Sequence, residues 1–246
     1  MRHLLLEPLL GTLYPHQCRV CGDLVDSIRY GSACSACWAA TRIFDGSETT
    51  CSKCGAFSKH KQLNIKGLCG QCDDDLYDKA VAIGVYERAL AATVVHLKRE
   101  PHLPAVAKEM LFRLVDRLSI GRDHAIIPVP LSRKRRFERG HNQAEFISEL
   151  IAEYGSLPYH PTALVRKEHT AMHRVGMDKK AREATVKNLF EVRTPRLIKS
   201  RDIVLVDDVF TSGSTASYCA KVLKKSGAAS VTVITLARAI LYRELR

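Results

Sequence analysis

Two sets of residues in this 246-residue chain have the types and spacing to do chemistry. The first is the run IVLVDDVFTSGST at positions 203 to 215, where an apolar segment stops at two adjacent carboxylates, Asp207 and Asp208. A loop of Thr211, Ser212, Gly213, Ser214 and Thr215 follows them. If that loop opens a helix, the unpaired N–H groups of the first turn and the hydroxyls can surround a phosphate, and glycine permits close backbone approach. Two acids would repel a bare phosphate. The ligand that suits both parts also carries vicinal hydroxyls or a magnesium ion, as a ribose 5-phosphate with its pyrophosphate and magnesium does. The same residues also suit a plain turn, with the Ser/Thr/Gly run capping a helix. GxxxxGK(S/T) and GxGxxG are both absent, which argues against a triphosphate P-loop and a dinucleotide fold.

The second set is eight of the nine cysteines, which form four CxxC pairs: Cys18/Cys21, Cys34/Cys37, Cys51/Cys54 and Cys69/Cys72. Two thiolates separated by two residues can share one tight turn and one zinc ion, and a second turn completes a four-sulfur tetrahedron. CRVCG at Cys18 is repeated as CSKCG at Cys51, 33 residues on, and CSAC at Cys34 corresponds to CGQC at Cys69, 35 residues on. The repeat predicts two consecutive zinc ribbons, with Gly22 and Gly55 ending their first turns at positive φ. A cross-braced pairing, first with third and second with fourth, fits the spacing too. All-sulfur shells leave no open coordination position, so both zinc sites read as structural. Disulfides would need an oxidising compartment, and nothing in the sequence points to one. The ninth cysteine, Cys219, falls in a helical stretch and reads as a small buried hydrophobe.

The elements that must position these residues are legible from periodicity. Apolar runs at Ala80–Tyr86, Ala125–Pro130, Ala163–Arg166, Asp202–Asp208 and Ser230–Ala237 read as strands. Helical patterns fall at Arg88–Arg99, Leu103–Leu118, Asn142–Tyr154, Lys179–Lys187 and Ser214–Ser226. Strand, helix, strand in that order implies right-handed crossovers and a mostly parallel sheet flanked by helices, with ligands at the C-terminal strand ends. That is where Asp207 and Asp208 stand. The sequence predicts a cysteine-rich unit over residues 1–76 and an α/β domain over residues 77–246.

Charge divides along the same boundary. Residues 1–76 carry eight Lys/Arg against eight Asp/Glu, so the whole formal excess of +12 belongs to the α/β part. That favours polyanionic ligands there, either phosphorylated small molecules or nucleic acid. Five cations, Arg133, Lys134, Arg135, Arg136 and Arg139, fall within seven residues just past a strand end. They suit a pyrophosphate leaving group, a DNA backbone or, for some of them, solvent. His141 reads as a packed or surface residue rather than a general base. No apolar run approaches the roughly 18 residues of a membrane span, and the leucine cluster near Met1 reads as a short amphipathic helix rather than a signal peptide.

The stretch VDDVFTSGST resembles the phosphoribosyl diphosphate (PRPP) motif of type I phosphoribosyltransferases. With LYPHQCRVCG, HLK at His96–Lys98, PVPLSRKRRFERGHNQA at Pro128–Ala144 and RKEHTAMHRVGMDKKAR at Arg166–Arg182, the chain resembles the bacterial ComF family along nearly its whole length. Those proteins pair a double zinc ribbon with a phosphoribosyltransferase-like domain and are associated with competence. The resemblance implies that Asp207 and Asp208 are the catalytic carboxylates, holding the ribose hydroxyls. Thr211, Ser212, Gly213, Ser214 and Thr215 would hold the 5-phosphate, and Lys98, Arg135 and Arg139 would approach the pyrophosphate with its magnesium. A single-stranded DNA surface at Arg133, Lys134, Arg135 and Arg136, partners in the DNA-uptake machinery and a cytoplasmic location are further expectations. Three departures, His141 for the family's Phe, His173 in its Thr-x-x-Gln and Thr185 for its Asn, fall on the acceptor side.

Overall fold

The two β-branched runs that carry and follow the acidic pair lie side by side at the centre of one sheet. The computed structural model describes residues 16–48, 50–57, 67–69, 72, 74–167 and 189–240. The expected helices near Met1 and over Lys179–Lys187, with His173 and Thr185, lie outside them. In chain order the elements are α1 (Ser35–Ala39), β1 (Lys79–Val85), α2 (Arg88–Leu97), α3 (Ala105–Arg117), β2 (His124–Pro128), α4 (Arg133–Arg139) and α5 (Gln143–Gly155). Then come β3 (Leu164–Arg166), β4 (Phe190–Val192), β5 (Asp202–Phe210), α6 (Ser214–Lys225) and β6 (Ser230–Arg238).

Four strands pair in the order β1-β6-β5-β2, all parallel, and β3 pairs antiparallel with β4 in a small second sheet. The strand period of two sends alternate residues of β5 to opposite faces. Val204 and Val206 join a core with Leu97, Leu111, Ile147 and Ile234, whereas Ile203 and Leu205 join one with Leu164, Phe190, Leu223 and Val233. Both faces are covered, which is why β5 and β6 read as unbroken apolar runs rather than alternating ones.

The cysteine-rich unit is built into this sheet. Its first half packs Cys18, Val25, Cys37 and Trp38 into one core, and its second half packs Cys51, Cys54, Ala56 and Cys72 into the other. The connection between the halves closes the outer edge of β1: Phe44 N–H donates to the Ile83 carbonyl at 2.8 Å and Val85 N–H to the Arg42 carbonyl at 2.9 Å. Further along, Ala80 N–H donates to the Lys53 carbonyl at 2.6 Å. Gly84 allows this approach, since a Cβ there would lie 2.4 Å from the Arg42 oxygen. At the opposite edge, Ile126 of β2 exchanges bonds with Pro158 (2.8 Å) and His160 (3.0 Å). Exposed strand edges invite pairing with other chains, and here both outer strands are occupied by the chain itself.

Candidate phosphate-binding site and zinc centres

Strand β5 continues two residues past its acids, pairing Val209 with Ala237 and Phe210 with Arg238 before the chain turns into α6. Gly213 is the N-cap of α6 at φ 78, a left-handed conformation that glycine adopts without a Cβ penalty. The Ser212 and Ser214 hydroxyls lie 2.9 Å apart on the same turn. Together these features place the first-turn N–H groups and two hydroxyls at the mouth of the central strand, the arrangement that receives anions. A small cavity of about 30 Å³ beneath the loop is lined by Asp207, Thr211, Gly213 and Thr215.

Beside it lies a larger cavity of about 160 Å³. Asp207, Asp208 and Thr215 line it together with four cations, Lys98, Arg135, Arg139 and Arg166. Oxygen donors for hydroxyls or a hard cation thus share one space with a cluster of positive charges. The Asp207 carboxyl is pushed up to about 8, first by burial and then by the neighbouring Asp208 carboxylate, while Lys98 pulls it down.

The basic cluster, which the sequence presents as one block, is a helix, and helical geometry divides it. Residues four apart share a face, so Arg135 and Arg139 line the cavity together. Arg139 is held by Gln143, whose Oε1 accepts from Nη1 at 2.7 Å. Arg136 instead pairs with Glu145 at 2.6 Å. The Lys134 side chain is 86% exposed and lies 3.9 Å from Glu138, and Phe137 is 93% exposed. Lys98 reaches the cavity from the C-cap of α2. His141 joins these two cation-bearing segments: its Nε2 lies 2.8 Å from the Leu97 carbonyl and its Nδ1 3.0 Å from that of Arg139.

Arg166, Asn142 and Gln143 also line the cavity and were not singled out as site residues from sequence. Arg166 ends a strand, which is the available signal for it. Asn142 is buried, capping α5 through Ala144 N–H at 3.2 Å and donating to the Val129 carbonyl at 3.1 Å. Cys219, fully buried in α6, behaves as the small hydrophobe the sequence implies.

The cysteines gather into two groups, Cys18/Cys21/Cys34/Cys37 and Cys51/Cys54/Cys69/Cys72, each with all sulfurs within 4.8 Å of one another. The pairing is therefore sequential, and the cross-braced alternative is excluded. Adjacent sulfurs are 3.7 Å apart for Cys18–Cys37 and Cys21–Cys34, 3.6 Å for Cys51–Cys72 and 3.5 Å for Cys54–Cys69. A zinc tetrahedron with Zn–S near 2.3 Å requires sulfurs about 3.8 Å apart, so both groups fit the ion. Gly22 and Gly55 end their knuckles at φ 85 and 68, as expected. The Cys18 sulfur accepts N–H bonds from Val20 (3.4 Å) and Cys34 (3.3 Å). Burial pushes that thiol up, but such backbone donors outweigh it and bring it down to about 6, favouring the thiolate that zinc binds.

Residues 9–73 match the family model described as a double zinc ribbon domain. Over 217 residues the chain is 30% identical to competence protein F of Haemophilus influenzae, covering 84% of this chain and 90% of that protein. It is 29% identical over 215 residues to the DNA utilization protein YhgH of Escherichia coli K12, with the same coverage of 84% and 90%. Among solved structures it aligns with the PRPP amidotransferase of B. subtilis at 16% identity and TM-score 0.40, covering 57% of this chain and 30% of that one. It also aligns with a hypoxanthine phosphoribosyltransferase of Staphylococcus aureus at 14% identity and TM-score 0.34, covering 54% and 62%.

Proposed function

This chain belongs to the ComF (competence protein F) family, and from that premise and its strand-end site we propose that it binds PRPP with magnesium. One observation carries the reading: Asp207 and Asp208 face Lys98, Arg135, Arg139 and Arg166 across a single cavity that Thr215 of the phosphate loop also lines. The carboxylates suit the ribose hydroxyls and Thr211, Ser212, Gly213, Ser214 and Thr215 suit the 5-phosphate. The cations suit a pyrophosphate, whose magnesium the same acids help to hold. If a phosphoribosyl transfer follows, negative charge builds on the departing pyrophosphate, and Arg135, Arg139 and Lys98 stand where they would stabilise it. The proposed setting is the bacterial cytoplasm during DNA uptake and transformation, with proteins of the uptake machinery as partners. The test is thermal: PRPP with magnesium raises the melting temperature, and changing Asp207 and Asp208 to Ala abolishes the rise. No shift in the wild-type protein at millimolar ligand would sink the proposal.

A second reading has its own support. Lys134 and Phe137 project from the outer face of α4, away from the groups that fix Arg136 and Arg139. A cation beside an exposed ring suits the backbone and bases of single-stranded DNA, with Arg133, Arg135 and Arg136 adjoining. The two functions can coexist, because the cavity and the outer face of α4 are neighbours. Salt-dependent binding of a single-stranded oligonucleotide, weakened by neutralising Arg133, Lys134 and Arg136, tests it; no binding at low ionic strength would refute it.

A further inference from the structure

The floor beneath the phosphate loop is supplied by other parts of the chain. A Cβ added at Gly213 would meet the Phe210 ring at 2.8 Å and the Tyr77 hydroxyl at 3.1 Å, so the loop rests directly on these two aromatic residues. Tyr77, 1% exposed, meets Phe210 edge-on with ring centroids 5.8 Å apart, and its hydroxyl donates to Asp75 at 2.6 Å. The guanidinium of Arg238, a residue only 4% exposed, lies 5.1 Å from the Phe210 centroid.

Both ends of this floor are held by one turn. Arg238 Nη1 donates to the Cys54 carbonyl. Lys53 Nζ donates to the Asp75 carbonyl at 2.7 Å and stands 5.9 Å from the Tyr77 centroid. Lys53 and Cys54 belong to the first CxxC knuckle of the second zinc centre. Just beyond Asp75, Leu76 N–H donates to Ser217 in the first turn of α6. The first zinc centre packs into the opposite core, with Trp38 and the α2–α3 layer.

We propose that the second zinc centre is a positioning element of the phosphate site, acting through Tyr77, Phe210 and Arg238. With the Cys51–Cys54 knuckle closed on its metal, the Gly213 loop is held on its aromatic floor; with the metal lost, the floor loosens and affinity for the phosphorylated ligand falls. The inference rests on the reading of residues 211–215 as a phosphate site. It assigns the two centres different roles: both hold the fold, but the second also tunes the ligand site.

Such coupling is reciprocal, so the ligand must protect the metal as much as the metal supports the ligand. The experiment follows zinc release from the full chain to a chromophoric chelator, with and without PRPP and excess magnesium. Calorimetry on the same sample records PRPP binding, and an Asp207→Asn/Asp208→Asn variant sets the background. The expected result is that one of two zinc ions is released at least about fivefold more slowly with ligand, the low end of typical coupling. Cys21→Ser, which loses the first centre, keeps the protection. Arg238→Met and Tyr77→Phe, each still binding two zinc ions, lose most of it, and Arg238→Lys restores part. If PRPP binds and neither zinc ion is protected, or both are protected equally, the coupling is overturned. If PRPP does not bind, the phosphate-site reading fails and the proposal falls with it.

Discussion

The Asp207 carboxylate turns back on its own chain and accepts the backbone N–H of Asp208 at 2.9 Å. That bond pulls the Asp207 carboxyl down, but burial first and the neighbouring Asp208 carboxylate second outweigh it and raise it to about 8. A raised carboxyl contributes stability in its protonated form, fully present below the ordinary value near 4 and lost as pH rises through about 8. The unliganded protein should therefore melt at progressively lower temperature from about pH 5 to about pH 8 and change little above that, and Asp207→Asn should flatten the decline. Ligand hydroxyls and magnesium favour the ionised form, so PRPP binding at pH 7 should expel a proton. Calorimetry in two buffers of different ionisation enthalpy reads this directly, and identical enthalpies would count against it.

Helix α4 separates the residues of the two proposed activities, which its sequence runs together. Arg135→Ala and Arg139→Ala should each weaken PRPP binding by about tenfold or more, the cost of about 1.5–3 kcal/mol for a charged hydrogen bond. Lys134→Ala and Phe137→Ala should leave it within about twofold, since both residues face solvent. Oligonucleotide binding should show the reverse pattern for Lys134 and Phe137. Equal losses for all four variants in both assays would show that α4 is one undivided surface.

Sequential pairing of the cysteines fixes a metal stoichiometry. Replacing Cys18, Cys21, Cys34 and Cys37 together should leave one zinc ion per chain by elemental analysis. A cross-braced arrangement would leave none, because each site would have lost half its ligands.

Gly84 has no room for a side chain against the Arg42 carbonyl. Gly84→Ala should push the ribbon connection off the sheet edge, costing roughly 1–3 kcal/mol in urea unfolding as other overpacked sites do. Removing residues 1–76 altogether strips the hydrogen bonds that cover β1, so the fragment 77–246 should self-associate, as size-exclusion chromatography would reveal.

Much of the site was legible because its signals are local. Cys18 and Cys21 announce a zinc knuckle by spacing alone, and Asp207 announces a strand end because an apolar run stops there. Arg166 has one sequence signal, its place at the end of a short strand, and that is weaker than an acid pair or a block of cations. Only the tertiary fold brings it to the cavity that Asp207 also lines. From residue types alone the basic segment reads as a block, because helical periodicity is hard to see across five cations in seven residues; the family resemblance is what singles out Arg135 and Arg139. The tether on Arg136 is hidden for a similar reason: its partner Glu145 stands nine residues away, on the next helix.

By itself the sequence determined two four-sulfur centres, a largely parallel sheet, and an acid-then-hydroxyl loop at the end of its central strand. Each follows from short-range chemistry: ligand spacing, a run of β-branched residues, and the turn preferences of serine, threonine and glycine. Tertiary structure alone decided which cysteine pairs share a metal, that Arg166 joins Arg135 and Arg139 beside the acids, and that the ribbons complete the sheet instead of standing apart from it. Those outcomes depend on contacts between residues far apart in the chain, such as Arg42 with Val85 and Cys54 with Arg238. Local spacing carries no record of such contacts, because they exist only once both faces of the sheet have been buried.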